Sequence, residues 1–296
     1  MAAISNWANR QMKWLFILPA VAFVLVMMVF PIIYTVRLSF FNWSMSAVQP
    51  PVWVGIKNYT DLFTADPRFT DALVRTFAFT IGAVAVEMVL GVLIALLLHK
   101  PFRGNNLVKS LILLPMVATP VAMGMAWLLM LEPTIGVVNA LLRMVGLAPQ
   151  PWLASQAQAL PSLMLVDIWE WTPMVALIAL AGLASLPEEP IEAAIVDGAT
   201  PLQRFWHVLL PLLAPTLIVA MLLRSIDALK TFDIIYTMTQ GGPGFSTETL
   251  NIYSYVQGFS YFQMGKASSL LVVFFAIVLG VSIMLAGVRN KWGVAR

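Results

Sequence analysis

The sequence predicts an all-α membrane protein with six transmembrane helices. Of its 296 residues, 60% are hydrophobic and only 10% are charged, and the mean hydropathy is +0.87. Soluble domains carry about 25% charged residues, so this composition indicates a chain that crosses a bilayer several times. Apolar segments of the length that a helix needs to cross the ~30 Å hydrocarbon core recur along the chain.

Six such segments follow one another, and all should be helical, because lipid offers no other partner for their backbone polar groups. They are Trp14–Val36, Phe77–Leu98, Ser110–Leu131, Ser162–Leu186, Val208–Leu223 and Ala267–Val288. The fifth is uncharged but short, so we expect it to continue past Arg224. The first is longer than the apolar region of a secretory signal, and no clear cleavage site follows it, so we expect it to be retained.

The distribution of Lys and Arg predicts the orientation of these spans. With six spans both termini lie on one side, together with segments 1–13, 99–109, 187–207 and 289–296. These four segments hold 9 Lys and Arg in 53 residues, against 8 in the 113 residues of the other three. Cytoplasmic loops carry the excess of positive charge, so we expect both termini in the cytoplasm. Residues 14–36 are then the first transmembrane helix, 37–76 an external loop, and 77–288 a five-helix core.

Composition also narrows the classes of function. The chain has no Cys, which rules out disulfides and thiolate metal sites. Its net charge of +3 lies next to the predicted spans, so topology explains it and we expect no nucleic-acid partner. No nucleophile–base set and no metal-binding cluster stands out. We therefore expect neither an enzyme nor a metal or other cofactor on this chain.

The loop between the fourth and fifth spans is polar and acidic. An Ala-rich run that starts at Glu192 favours a short helix, with the acid near the positive end of the helix dipole. Gly198 can adopt the left-handed conformation that ends such a helix, and Pro201 can begin the next one. Two interpretations stay open from the residues alone, a solvated acidic turn or a helix that docks into another protein.

A longer motif surrounds this loop. Glu192-Ala193-Ala194 is followed after three residues by Gly198, and after nine more by Val208-Leu209-Leu210-Pro211. This pattern resembles the EAA loop of ABC importer permeases, with Val208 where Ile is usual. Further cues resemble the carbohydrate-uptake branch of that family, of maltose, trehalose and glycerol-phosphate type. They are Trp169-x-x-x-Pro173, Thr239-x-Gly241-Gly242-Pro243 with Thr247, and Gly265-x-Ala267-Ser268.

The resemblance covers roughly Trp14 to Arg289 and implies a type I importer fold with a cytoplasmic coupling helix. It implies that Glu192, Ala193, Ala194, Asp197, Gly198 and Pro211 couple the chain to a cytoplasmic ATPase. The partners it implies are two ATPase subunits that bind ATP and Mg²⁺, a second homologous permease in a heterodimer, and a periplasmic or lipid-anchored solute-binding protein. The chain itself has no G-x-x-x-x-G-K-[ST] phosphate loop. The implied location is the bacterial inner membrane.

Charged residues inside spans are expensive, so each is a functional candidate. Asp167, Glu170, Trp171 and Met174 recur at i, i+3, i+4 and i+7, which places them on one face of the fourth span. Carboxylates accept hydroxyl protons and an indole covers the apolar face of a sugar ring, so this face suits a saccharide. The alternative is that the acids lie wet at the interface or pair with a neighbouring helix.

Arg224, Asp227, Lys230 and Asp233 alternate in sign at intervals of three. Such neighbours can pair along a helix, so the set could neutralise itself as an interfacial ladder. The other interpretation is a polar wall of the transport pathway. The family's pocket residues on this helix fall at about Asp227 to Thr231, including Lys230. Charged residues stand here where the maltose type has Asn and Phe, so the resemblance does not identify the substrate.

Two rival functions remain open. Glu87 stands alone among apolar residues of the second span, and the sequence names no partner for it. A secondary transporter could move protons through Glu87, Asp167 or Glu170, although no clear inverted repeat is visible. A membrane scaffold without any pathway is the other rival, and it predicts that Asp167→Asn and Trp171→Ala leave uptake normal.

Overall fold

The chain is almost entirely helical, as the hydropathy pattern predicts. The computed structural model describes residues 2–46 and 49–294, with side chains described within residues 12–289. Met1 and residues 295–296, which belong to the predicted terminal segments, lie outside the described residues. Contacts divide the chain into two compact units, formed by residues 1–66 with 254–273 and by residues 67–253 with 274–296.

The helices follow one another with short connections. In chain order they are α1 (Ala2–Leu38), α2 (Lys57–Thr64), α3 (Pro67–His99), α4 (Asn105–Val117), α5 (Pro120–Met130), α6 (Val137–Met144), α7 (Gln156–Ala184), α8 (Glu189–Val196), α9 (Pro201–Arg204), α10 (Leu210–Leu229), α11 (Asp233–Thr239), α12 (Leu250–Tyr255) and α13 (Met264–Val294). A 3₁₀ turn spans Trp152–Ala154, and π-helical turns span Phe205–Leu209 and Val256–Ser260. Two short strands, β1 (Phe41–Asn42) and β2 (Val52–Trp53), pair antiparallel.

The first unit contains α1, the β1–β2 hairpin and α2. Within α1, the apolar stretch Phe16–Leu38 is 23 residues long. No residue in its most apolar 18-residue segment is buried inside the chain, as expected for a helix that faces lipid. The hairpin is anchored by Asn58, whose Nδ2 donates to the carbonyls of Ser39 (2.8 Å) and Phe41 (2.9 Å). These bonds satisfy backbone groups that the two-residue strands leave unpaired.

The second unit is built on α3, α7 and α10, which pack against one another. Its apolar core is formed by Val92, Ala95, Ala179, Leu183, Leu213 and Leu217. Glycines allow close approach of these helices. A Cβ at Gly91 would lie 2.6 Å from Cγ1 of Val175, and a Cβ at Gly182 would lie 2.7 Å from Cδ1 of Leu213. Small residues at such crossings bring helix backbones together inside membranes.

The third predicted span, Ser110–Leu131, is not one straight helix. Helices α4 and α5 meet at an angle of 94° across a two-residue break. Pro120 explains the break, because a proline drives the preceding residue out of the helical region. Thr119 accordingly has φ −70° and ψ 139°, and Ala118 has ψ 154°. Within the described residues, five helices are long and apolar enough to cross a membrane, or six if the bent pair is counted as one span, by length and composition.

Loops of the second unit are held by buried polar side chains. Asn139 is fully buried. Its Nδ2 donates to the carbonyls of Pro133 (2.9 Å) and Gln150 (2.8 Å), and its Oδ1 accepts from the indole Nε1 of Trp152 (2.8 Å). In the turn after α5, the backbone amide of Ile135 donates to Glu132 and lowers the pKa of that carboxyl. These bonds give the connection between α5 and α7 a defined shape.

The loop that carries Thr239-x-Gly241-Gly242-Pro243 is also ordered. The hydroxyl of Thr247 donates to the carbonyl of Gly242 (2.8 Å) and lies 2.7 Å from the hydroxyl of Thr239. Next to it, the guanidinium of Arg68 makes two bonds of 2.6 Å to the buried carboxylate of Glu248. The shape of this turn is thus maintained by its own hydroxyls and by an ion pair with α3.

Candidate functional site

The EAA loop forms a short exposed helix, α8, which spans Glu189–Val196 and is terminated by Gly198. It begins three residues before Glu192, where the sequence placed its start. Gly198 has φ +76°, its amide donates to the carbonyl of Ile195 (3.0 Å), and the amide of Ala199 donates to that of Ala194 (3.0 Å). This pair of bonds is a Schellman motif, which satisfies the last carbonyls of a helix. The prediction of a short helix that Gly198 terminates is confirmed.

A second turn of helix follows at once. Thr200 and Gln203 form a capping box, and Pro201 opens α9 as predicted. A π-helical turn, Phe205–Leu209, then leads directly into α10. Pro211 lies in the first turn of α10 and has no amide with which to bond the carbonyl four residues earlier. The polypeptide is therefore helical almost without interruption from the EAA loop into the fifth span.

This loop presents apolar side chains to its surroundings. The exposed fraction is 52% for Ile195, 87% for Val196, 69% for Leu202 and 57% for Trp206. Glu192 and Asp197 are exposed beside them, and no residue of α8 is buried. An exposed apolar patch rimmed by polar residues is typical of a protein interaction site. We call the exposed residues between Glu189 and Trp206 the loop surface.

Inside the second unit, a buried ion triad joins the three core helices. Arg224 of α10 donates from Nε (2.6 Å) and Nη2 (3.1 Å) to Glu87 of α3, and from Nη2 also to Asp167 of α7. All three side chains are at most 1% exposed. The guanidinium carbon of Arg224 lies 5.3 Å from the ring centroid of Trp171. Charge pairing and the aromatic face together compensate the burial of this cation.

A cavity of about 290 Å³ lies beside the triad. It is bounded by α5, α7, α10, α11 and the turn that joins α10 to α11. Its lining residues are Pro120, Asp167, Trp171, Arg224, Asp227, Lys230, Thr231, Phe232, Asp233 and Ile234. A concave site with an aromatic ring and a few convergent polar groups is typical of small-molecule binding. We call it the charged cavity.

The structure brings five of the predicted pathway residues to the charged cavity, namely Asp167, Trp171, Asp227, Lys230 and Thr231. The other two, Glu170 and Met174, lie on the same helix but outside the cavity lining. Glu170 is 1% exposed, and its Oε2 has no hydrogen-bond partner among the described residues. The predicted face of α7 therefore reaches the cavity at Asp167 and Trp171, near the middle of the helix.

Of the two interpretations left open for residues 224–233, a single ion-pair ladder along one helix does not fit the structure. Helix α10 ends at Leu229 and α11 begins at Asp233, so the four charges do not share one helix. Only Lys230 and Asp227 pair at this spacing, with Nζ 3.6 Å from Oδ1. Arg224 instead bonds Glu87 and Asp167 on other helices, because a buried cation needs partners that are buried with it.

Sequence reasoning left Glu87 without a partner and left Arg224 out of the pathway residues. A charge balance over the spans could have pointed to them, because the predicted spans contain the acids Glu87, Asp167 and Glu170 and the fifth span was expected to continue past the cation Arg224. Asp233 was considered only within the open alternative of a polar wall, and Phe232 and Ile234 were missed as lining residues because the break after α10 was not predicted. Among the described residues, no three His, Asp or Glu side chains are placed so that they could hold a metal ion.

A larger open concavity, about 750 Å³, lies in the first unit. Most of its lining is exposed, and its Lys266 ammonium is 2.8 Å from the carboxylate of Asp66. The charged cavity differs from this concavity because it adjoins buried charged side chains, and one of them, Arg224, lies over the ring of Trp171. That cavity, together with the loop surface, is therefore the candidate functional site.

Membrane-crossing helices around a charged cavity, with an exposed helical loop between two of them, define the class of a transport subunit. Residues 87–289 match the family of binding-protein-dependent transport system inner membrane components. The chain belongs to this family. It is a multi-pass inner membrane permease, as the resemblance through the EAA loop implied.

Relatives extend over nearly the whole chain. The chain is 33% identical over 282 residues to the trehalose/maltose transport system permease protein MalF of Thermococcus litoralis, covering 94% of each. It is 36% identical over 287 residues to the sulfoquinovosyl glycerol transport system permease protein SmoG of Agrobacterium fabrum, covering 96% of this chain and 92% of that protein.

The fold matches a solved permease chain as well. The chain superposes with a TM-score of 0.83 on a chain from a crystal structure of a bacterial ABC transporter involved in the import of the acidic polysaccharide alginate. The match covers 98% of this chain and 99% of that one, at 21% identity. The similarity establishes the fold of an ABC importer permease, so the prediction of an all-α membrane protein of this class is confirmed.

Proposed function

We propose that this chain forms half of the translocation pathway of an ATP-driven, binding-protein-dependent sugar importer. The observation that carries the proposal is the loop surface. An exposed helix holds Glu192, Ala193 and Ala194 and ends at Gly198, which are the motif positions of the EAA loop. Relatives named for trehalose/maltose and for sulfoquinovosyl glycerol support a sugar as the substrate class.

The loop surface serves as the contact with a cytoplasmic ATPase, which binds ATP and Mg²⁺. Its apolar residues Ile195 and Val196 are exposed, and Glu192 and Asp197 flank them. Burying an exposed Ile or Val side chain contributes about 1.5–3 kcal/mol of hydrophobic free energy, enough for a helix of this size to dock in a groove. The acidic rim would orient the helix towards basic residues of the partner.

Movement of the loop passes to the charged cavity through α10. The π-helical turn and α10 follow α9 without a flexible segment. From Leu210 to Asp227 the helix rises about 25 Å at 1.5 Å per residue, so a shift at the loop moves the cavity wall. Nucleotide can drive alternating access only if it binds the two states of the ATPase differently, and a rigid connection passes that difference on.

The substrate pathway is assigned to the charged cavity, with Asp167, Trp171, Asp227, Lys230 and Thr231 on its wall. A carboxylate can accept hydroxyl protons of a sugar while an indole covers its apolar face. Glu170 and Met174, which lie off this wall, stay candidates for a more open conformation. A second, homologous permease would supply the other half of the pathway in a heterodimer.

The distribution of Lys and Arg supports a cytoplasmic location, in a bacterial cell, for the loop surface and both termini. The solute-binding protein then approaches the opposite, external side, where it delivers the sugar. It is periplasmic or lipid-anchored according to the envelope of the cell. One of the solved relatives is described as an alginate ABC transporter in complex with a periplasmic protein that binds alginate pentasaccharide.

The coupling role is tested by Glu192→Lys, with Glu189→Lys as the matched control. Both acids lie in the first turn of α8, so both reversals disturb the helix dipole to a similar extent. Only Glu192 belongs to the motif. We expect Glu192→Lys to insert normally, to lose co-purification with the ATPase and to lose uptake, whereas Glu189→Lys keeps most of both. Intact association and transport in Glu192→Lys would exclude the docking role.

The two rivals make different predictions. A secondary transporter predicts uptake that survives deletion of the ATPase and stops when the proton gradient collapses. A scaffold predicts that Asp167→Asn and Trp171→Ala leave uptake unchanged. We expect the opposite result in each case, with uptake abolished by ATPase deletion and strongly reduced by either cavity variant.

A further inference from the structure

The charged cavity carries an excess of negative charge. Its lining includes three carboxylates, from Asp167, Asp227 and Asp233, and two cations, from Arg224 and Lys230. Glu87, which does not line the cavity, pairs with the same Arg224. The carboxylates therefore outnumber the cations at this site, although the whole chain has a net charge of +3.

Both cations of the cavity are already paired. Arg224 binds two buried carboxylates, those of Glu87 and Asp167, so its charge is more than compensated. The ammonium of Lys230 lies 3.6 Å from Asp227, in a pair that is about half exposed. An anionic group that entered the cavity would have to compete with a carboxylate for either cation.

The carboxylates, by contrast, keep hydrogen-bonding capacity that the protein does not use. Asp167 is 0% exposed and lines the cavity, and its Oδ1 has no hydrogen-bond partner among the described residues. A buried acceptor without a partner costs free energy that a donor from a ligand would recover. Asp233 lines the same cavity with an exposed carboxylate. A ligand that donates hydroxyl or ammonium hydrogens suits these groups.

We propose that the charged cavity selects saccharides that carry no net negative charge. The substrate is a neutral polyhydroxylated sugar, an amino sugar is tolerated, and sugars with a carboxylate, sulfonate or phosphate are excluded. Hydroxyl groups bond the exposed carboxylate of Asp233, and the ring packs on Trp171 beside the buried Asp167. This assignment rests on the proposed function, since it takes the cavity as part of the sugar pathway.

Because the chain has no Cys, a single introduced thiol can report the electrostatic potential in the cavity. Thr231→Cys places one thiol in the cavity lining, and Ala148→Cys places one in the exposed loop between α6 and α7 as the matched control. Each thiol is treated, in membranes that contain the complete transporter, with a cationic trimethylammonium and an anionic sulfonate methanethiosulfonate reagent. The ratio of the two rates measures the local potential, and the control removes the intrinsic difference between reagents.

We expect the cation-to-anion rate ratio for Thr231→Cys to exceed that for Ala148→Cys by about tenfold, because one net charge within several ångströms changes local ion concentrations by about that factor. Adding Asp233→Asn to Thr231→Cys should bring the ratio closer to the control. A ratio equal to or below that of the control would overturn the proposal. So would ATP-driven uptake of an acidic saccharide through this permease.

The same variants separate this proposal from the proposed function. If modification of the introduced thiol leaves uptake intact, the cavity is not in the pathway and the proposed assignment of the pathway fails. If modification blocks uptake but the rate ratio matches the control, the pathway stands and only the charge selectivity fails.

Discussion

Gly198 offers the sharpest structural test of the loop surface, because the chain contains a matched glycine elsewhere. Gly198 ends α8 at φ +76°, and Gly146 ends α6 at φ +77°. Both form Schellman motifs, and at Gly146 the bond from the amide of Leu147 to the carbonyl of Leu142 is 2.9 Å. A Cβ added at either glycine meets nothing within 4 Å. Substitution by Ala therefore has only a backbone cost at both sites.

That cost is about 1–2 kcal/mol, the penalty of the left-handed conformation for a residue with a Cβ. It lowers the population of molecules with an ordered helix end, relative to those in which the end is frayed, by about 5–30-fold. If the ATPase binds only the ordered helix, the apparent dissociation constant rises by up to the same factor in Gly198→Ala. Gly198→Asn should be milder, because Asn visits this conformation more readily.

The assay is titration of the detergent-solubilised permease with its ATPase, together with uptake in cells. We expect weaker association and less uptake for Gly198→Ala, with Gly146→Ala close to wild type in both. Equal losses in the two variants would mean that the effect is one of general stability. Unchanged association in Gly198→Ala and also in Gly198→Val would refute the role of this helix end.

Two further predictions concern the helix core. Arg224→Met leaves two buried carboxylates unpaired, so we expect a loss of about 3–5 kcal/mol of stability and a lower melting temperature. Adding Glu87→Gln should recover part of the loss. An unchanged melting temperature in Arg224→Met would contradict the triad. Gly182→Ala would place its Cβ 2.7 Å from Leu213, and overpacking of this kind costs about 1–3 kcal/mol. Gly280→Ala, where a Cβ meets nothing within 4 Å, should melt no lower than wild type, and equal losses in both variants would argue against the close crossing.

Local signals in the sequence predicted the EAA loop closely. The short helix, its end at Gly198 and the start of the next helix at Pro201 all follow from residue preferences that act within a few positions. Length and hydropathy likewise located the apolar spans, since each must match the thickness of the bilayer. These features depend on neighbours along the chain, which is why one sequence is enough to predict them.

Features that depend on distant parts of the chain were not predicted. The i, i+3 rule favoured pairing of Arg224 along its own helix, but burial selected Glu87 and Asp167 from two other helices. The break at Thr119 was hidden by hydropathy, because a window of apolar residues does not record the direction of the backbone. Pro120 was the available signal for it.

Uptake by proteoliposomes that hold the complete transporter tests the central claim most directly. The internal solution contains either ATP with Mg²⁺ or no nucleotide, and an ionophore collapses the proton gradient in half of the samples. The account predicts sugar uptake that needs ATP, that persists without the gradient and that disappears in Glu192→Lys. Uptake that follows the gradient and is indifferent to ATP, or that survives Glu192→Lys, would contradict it.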